Sequence, residues 1–273
     1  MTRLVRSLAL VAAVPVLHSA ALRAQTPPTV TLTRLQCGTN AAPTNVGQRF
    51  SDVYAFNGLM VQLTFSCYLV RHGDDYLIWD TGNPMGAGAA APKTSLVDLL
   101  SQANVNPAQV KFVAISHYHG DHTGQAGEFP QATLLIGKAD WDVVSDPKTP
   151  AGTSGPFTHW LSGGGKVEPV VGDRDVFGDG TVVMLNTPGH TPGHHSLLVK
   201  LPQMGNVLLT GDLAHFHENY DSNGVPTFNT DRAATIASLD RFKKMAANLK
   251  ATVIIQHDQR DVAKLPQFPA AAR

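Results

Sequence analysis

The chain has 273 residues, with 21 Lys and Arg set against 21 Asp and Glu for a formal net charge of zero, and 43% of its residues are hydrophobic. That balance excludes a polybasic nucleic-acid binder, and a mean hydropathy of -0.06 excludes both a disordered chain and a polytopic membrane protein. With 24 Gly, 18 Pro and a carboxylate complement in which all but Glu128, Glu168 and Glu218 are Asp, the composition favours strands and turns over long helices.

Residues 1–24 place Arg3 and Arg6 ahead of an apolar run from Leu8 to Leu17, followed by small residues up to Gln25. This is the layout of a secretory signal peptide, and the run is too short for a permanent membrane anchor. Cleavage after Ala24 or Ala21 is expected, leaving residues 25–273 as one domain in the periplasm or outside the cell. Cleavage after Ala24 takes Arg3, Arg6 and Arg23 from the 21 basic residues, so the mature chain is mildly acidic. In an oxidising compartment Cys37 and Cys67 either pair across two neighbouring strands or remain as buried thiols. Both lie away from the histidine motifs, and neither is expected to bind metal.

Strands are expected at 29–36, 63–70 and 76–79, the last ending in the turn Asp80-Thr81-Gly82. A Gly/Ala/Pro stretch at 83–92 leads to a helix at 95–102, and the unbroken apolar run 110–116 reads as a buried strand. Residues 146–165, rich in Pro, Gly, Ser and Thr, read as a long surface loop. Further strands follow at 167–171, 181–186, 195–201 and 207–210. The best helix spans 231–250, capped by Thr230 or Asp231, with an apolar stripe at Ile236, Leu239, Phe242, Ala246 and Leu249. A last buried strand, 252–256, delivers His257. Strands that feed polar residues into their terminal loops point to a layered α/β protein with its site at one sheet edge.

The strand 110–116 runs straight into His117-Tyr118-His119-Gly120-Asp121-His122. On an extended segment residues two apart point the same way, so His117 and His119 can reach one ion, while Asp121 and His122, beyond a turn at Gly120, can reach a second. Three later strand ends carry matching groups: His190 in Thr187-Pro188-Gly189-His190, Asp212 in Thr210-Gly211-Asp212, and His257 in Ile255-Gln256-His257-Asp258.

With these residues the sequence resembles the metallo-β-lactamase fold superfamily over nearly the whole mature chain. The resemblance implies a four-layer αβ/βα sandwich with a dinuclear site at the edge of two sheets, usually holding two Zn2+, other divalent transition metals being compatible with the same ligands. By it, His117, His119 and His190 bind one metal, Asp121, His122 and His257 the second, and Asp212 bridges. Asp80 supports the ligands from behind and His194 is structural or supporting. Two metals generate a hydroxide nucleophile between them near neutral pH, which implies hydrolysis of an acyl or phosphoryl bond.

Among the branches, a β-lactamase would usually have Cys or Ser at position 212. A glyoxalase II would carry a further C-terminal domain, but only 16 residues follow His257 here. The segments 66–70, 79–82, 211–216, 225–228 and 255–258 resemble the N-acyl homoserine lactonase branch, which implies a small-molecule lactone or ester substrate. Where many of those lactonases have a Tyr three residues after the bridging Asp, this chain has His215. That imidazole can act with Asp121 in catalysis, donating to an oxyanion or protonating the leaving alkoxide, or it can pack at the pocket wall. Met85, Phe157, Trp160, Phe216 and Tyr220 are candidate substrate walls. The alternatives are a phosphotriesterase resembling the methyl parathion hydrolases and a metal-binding protein without catalysis. No nucleic acid is expected as a partner, and a homodimer is left open.

Overall fold

The computed structural model of the protein describes residues 28–86 and 88–273; the expected leader lies outside them. After β1 (Val30–Thr39) come the short strands β2 (Thr44–Asn45) and β3 (Met60–Val61), then β4 (Thr64–His72) and β5 (Asp75–Trp79). Helix α1 (Leu96–Gln102) leads to β6 (Val110–Ile115), the single turn α2 (Gly120–Thr123), β7 (Thr133–Gly137), α3 (Lys138–Ser145), α4 (Ala151–Ser154), α5 (Thr158–Leu161) and β8 (Val167–Val170). The second half contains β9 (Arg174–Asp175), β10 (Val182–Asn186), β11 (His195–Leu201), β12 (Gly205–Leu209), α6 (His217–Asp221), α7 (Arg232–Leu249) and β13 (Thr252–Ile254).

The strands form a six-stranded sheet in the order β1-β4-β5-β6-β7-β8 and a five-stranded sheet in the order β13-β12-β11-β10-β9, with β2 and β3 paired separately. Alternation along each strand sorts its side chains between two cores. Leu32, Val70, Leu77, Trp79 and Leu135 of the first sheet meet Val182, Leu197, Val207 and Leu209 of the second. The opposite face of the first sheet, through Leu69, Ile78, Ile115 and Ile136, packs on Leu96 and Leu100 of α1 and Val144 of α3. The opposite face of the second, through Leu185, Leu198 and Leu208, packs on Leu239 and Phe242 of α7. Each such burial contributes about 1.5–3 kcal/mol. The result is the expected four-layer αβ/βα sandwich. Strands covered on both faces also explain why β6 reads as an unbroken apolar run.

Asp231 caps α7, its side chain accepting from the Ala234 amide, and Lys250 closes it with φ 49. Of the expected stripe, Leu239, Phe242, Ala246 and Leu249 join the helix–sheet core, whereas Ile236 stays only partly buried outside it. Cys37 and Cys67 are disulfide-bonded, Cα–Cα 5.9 Å, joining β1 to β4.

The expected surface loop fails. Residues 146–165 are no surface loop but wind through α4, a 3-10 turn at Gly155–Phe157 and α5. Phe157 and Trp160 are buried in the core behind the first sheet and fasten this segment to it. Its Gly and Pro residues start and stop short turns, which composition alone does not distinguish from an open loop.

Strands β5 and β6 run parallel, as do β12 and β13. Strand β10 is antiparallel to β11, which is antiparallel to β12, so the C-terminal ends of β10, β12 and β13 share one edge of their sheet. All the turns that carry the conspicuous His and Asp residues leave strands at such ends.

Candidate metal centre

Each candidate side chain is delivered by a turn that local sequence makes rigid. Strand β6 ends at Ile115, and the fully buried His117 follows in the extended stretch before α2. His119 occupies the N-cap of α2 in extended conformation, and the single turn that follows brings round Asp121 and His122. His190 lies in the 187–194 turn. There Gly189 has φ 135, and a Cβ on it would lie 2.2 Å from Thr235 Oγ1 at the start of α7. Asp212 follows Gly211, which has φ 57 and would place a Cβ 2.7 Å from His194 Nε2. Neither glycine can be exchanged without moving a candidate ligand.

The seven residues converge as two groups: His117, His119, His190 and Asp212 in one, Asp121, His122 and His257 in the other. Within the first, His119 Nδ1 lies 2.9 Å from His117 Nε2 and 3.0 Å from His190 Nε2. Within the second, His122 Nε2 and His257 Nε2 are 3.1 Å apart, and Asp121 Oδ2 is 3.8 Å from each. Asp212 spans both. Its Oδ2 is 3.2 Å from His190 Nε2 and 3.5 Å from His117 Nε2, while its Oδ1 is 2.8 Å from His257 Nε2 and 3.1 Å from His122 Nε2.

The outer ring nitrogens explain which way the lone pairs point. His122 Nδ1 donates to Asp80 Oδ2 at 2.8 Å, His257 Nδ1 to the Thr64 carbonyl at 2.9 Å, and His190 Nδ1 to Asn229 Oδ1 at 2.8 Å. His117 Nδ1 is 3.0 Å from Ser116 Oγ. A proton held on each outer nitrogen leaves the inner one a bare lone pair facing other lone pairs. Bare imidazole nitrogens about 3 Å apart repel unless a cation lies between them, so the donor set fits a pair of divalent transition metals.

Charge gives the same answer. Burial holds the His117 imidazole well below its usual pKa, reinforced by His122, and lowers His119 to about 4 with help from His190. Burial also opposes charge on His122 and His257. There the Asp212 carboxylate, joined at His122 by Asp80 and Asp121, outweighs it and raises both. Asp212 itself is held well below the carboxylate range, because His215, His122 and His257 outweigh its own burial. The second group therefore favours positive charge beside Asp212, and a bound metal would supply that charge while displacing protons.

The surrounding residues complete the picture. Asp80, fully buried, also accepts from the Ser116 amide, Ser116 Oγ and Gln256 Nε2. His194 stands behind the cluster, its Nε2 accepting the Asp212 amide at 2.9 Å. Asp140 ties down the turn carrying His190 by accepting from Thr191 Oγ1 and the Gly193 amide. Ser116 and Gln256 adjoin motif residues and could have been singled out from sequence. Asn229 and Asp140 carry no local signal.

His215 is buried beside the cluster with Nε2 3.1 Å from Asp212 Oδ2, while its Nδ1 has no hydrogen-bond partner among the described residues. The candidate walls need correction. Phe157 and Trp160 belong to the core behind the first sheet, Tyr220 packs toward Phe242, and Phe216 is buried among Phe50 and Phe56. Met85 is half exposed. The aromatic rings that touch these imidazoles are Tyr118 against His119, Phe50 against His215, Phe65 against His257, and Phe228 against His190 and His215. Phe50 and Phe228 lie in irregular loops, which offer no periodicity from which to assign a face.

Residues 65–257 match the family model of the metallo-beta-lactamase superfamily. The chain is 30% identical over 249 residues to the N-acyl homoserine lactonase AttM of Rhizobium radiobacter, covering 78% of this chain and 90% of that one. It is 28% identical over 233 residues to an N-acyl homoserine lactonase of a Bacillus species, covering 78% and 88%. The crystal structure of a quorum-quenching N-acyl homoserine lactone lactonase superposes with a TM-score of 0.75 at 24% identity, over 90% of this chain and 100% of that one. AidC, a dizinc quorum-quenching lactonase, gives 0.67 at 17%, over 90% and 91%. At these identities the structural likenesses establish the fold.

Proposed function

The chain belongs to the metallo-beta-lactamase superfamily, and from that premise we propose that it is a secreted hydrolase that opens the lactone ring of N-acyl homoserine lactones. Two divalent metal ions, zinc suiting the donors best, are held by His117, His119, Asp121, His122, His190, Asp212 and His257. The observation that carries a dinuclear hydrolase is Asp212, whose two oxygens face the two histidine groups separately. The substrate class is supported by curated relatives that align over most of their length.

When bound, such a metal pair lowers the pKa of a water molecule and polarises a carbonyl oxygen. The chain's own groups do the rest. Asp80, Thr64 and Asn229 fix the ring orientations of His122, His257 and His190. Asp121 keeps 30% of its side chain exposed, and we assign its carboxylate to proton movement between the attacking water and the leaving alkoxide. His215 directs its one engaged nitrogen at Asp212 Oδ2, which makes it a residue that positions the bridging carboxylate. Phe65 and Phe228, each partly buried beside the cluster, offer the acyl chain an apolar seat.

The test is a panel of acyl-homoserine lactones, aryl phosphotriesters, β-lactams and thioesters on metal-replete protein. Lactones are expected to release acid fastest, and His119→Ala to lose both activity and metal. Robust lactone opening by His119→Ala would overturn the metal mechanism, and a clear preference for phosphotriesters would replace the substrate. No more than one metal per chain with inertness throughout would favour a non-catalytic metal-binding protein. Export is tested by the mass of the protein recovered outside the cytoplasm, which should begin at Leu22 or Gln25.

A further inference from the structure

A cavity of about 1020 Å³ opens between β1, the segment 89–94 and residues 262–268. None of the seven clustered His and Asp residues lines it. Its lining includes Arg34 and Lys93 but no Asp or Glu, and its apolar lining residues include Leu99, Leu265 and Phe268.

Arg34 is the unusual group. It is partly buried, projecting from β1 across β4. Its Nε donates to Ser66 Oγ at 2.8 Å and its Nη2 to Thr64 Oγ1 at 3.1 Å. Among the described residues Nη1 has no acceptor and the guanidinium no carboxylate partner. Residues 1–27 and 87 contain no Asp or Glu that could serve instead. By contrast Arg71, Arg174, Arg232, Arg241 and Arg260 all pair with carboxylates. Lys93, on the 89–94 segment, likewise forms no ion pair among the described residues. Burial presses the Arg34 guanidinium below its usual pKa, a cost that the two neutral hydroxyls offset less well than an anion would.

We propose that this cavity is a binding site for an amphiphilic carboxylate, its head held between Arg34 and Lys93 and its alkyl chain laid on Leu99, Leu265 and Phe268. A guanidinium edge and an ammonium match one planar carboxylate, and the absence of acids from the lining leaves nothing to repel it. The apolar lining selects for a tail, since a small hydrophilic anion would leave it uncovered. The site is separate from the metal centre and holds or fails independently of the lactonase reading.

The probe is octanoate, titrated calorimetrically into full-length, metal-loaded protein. One octanoate per chain is expected to bind with an affinity unchanged in His119→Ala. Lys93→Met and Arg34→Met should each weaken it about tenfold or more, the loss expected for one charge-assisted contact. Octanol, with the same tail and no charge, should bind at least about tenfold more weakly. Lys93→Met lies on the exposed rim and keeps the test intact if Arg34→Met fails to fold. Equal affinity in wild type and Lys93→Met overturns the proposal. So does binding that disappears in His119→Ala, which would place octanoate on the metals, or octanol binding as tightly as octanoate. Inorganic phosphate competing as well as octanoate would overturn the assignment to an amphiphile, and no binding at all would overturn the site.

Discussion

Replacing Asp80 with Asn changes one atom and the charge of a side chain with no exposed surface. Its backbone sits in the left-handed region with φ 57, which Asn tolerates as well as Asp, so the substitution isolates chemistry from backbone strain. Asp80 Oδ1 accepts the Ser116 amide at 2.7 Å, and Oδ2 accepts from Ser116 Oγ at 2.9 Å, His122 Nδ1 at 2.8 Å and Gln256 Nε2 at 2.6 Å. An asparagine amide has one acceptor oxygen. Turned toward Ser116 N, its NH2 faces three donors; turned the other way, it confronts the Ser116 amide. Either orientation leaves a buried donor unmatched at a cost of about 1–3 kcal/mol. For a domain of this size that lowers Tm by roughly 2–4 °C per kcal/mol. His122 also loses the ionised acceptor that fixes its ring, and such losses weaken metal sites about 10–100-fold. Chelator titration followed by elemental analysis should show the His122, His257 and Asp121 site emptying first, leaving about one metal per chain where wild type keeps two. Two metals per chain at unchanged chelator resistance, with Tm moved by less than about 1 °C, would refute the reasoning.

Two further outcomes follow from groups outside the cluster. The Cys37–Cys67 bridge closes a 30-residue separation, so the double Ala variant should lose about 3–4 kcal/mol of unfolding free energy by loop-closure entropy, read from urea midpoints under non-reducing conditions. A loss below about 1 kcal/mol would show that the bridge does not constrain the unfolded chain as argued. Burial pushes Asp140 up from the usual carboxylate range to about 6, despite its bonds to Thr191 and Gly193. Because the folded pKa lies above the unfolded one, the folded state binds the extra proton, and this group's contribution is most favourable below about pH 4 and falls as pH rises to about 6. The full swing is of order 3 kcal/mol. Asp140→Asn should flatten the stability profile of the metal-free protein across that window, whereas parallel profiles for variant and wild type would contradict it.

What the sequence determined alone was a layered α/β organisation with ligand-type His and Asp residues at its strand ends. The unbroken apolar run of β6 and the apolar stretches of β11 and β12 follow from strands covered on both faces. That pattern depends only on near neighbours in the chain. The hexapeptide 117–122 was legible for the same reason, since four side chains able to bind metal lie within six consecutive positions. His190, Asp212 and His257 could be added because each ends a recognisable strand. The tertiary structure alone decided which atoms meet. Only the stacking of two sheets brings Asp212 between His190 and His257, and Asp80 against both Ser116 and Gln256. Asn229 reaches His190 from 39 residues away and has no motif of its own. Phe157 and Trp160 read as pocket or loop until burial assigned them to the core, because side chains in irregular turns have no period. The Arg34 cavity is invisible to sequence altogether. A lone arginine on a strand is ordinary, and it becomes a candidate binding group only when the folded chain surrounds it with hydroxyls and apolar surface and no carboxylate.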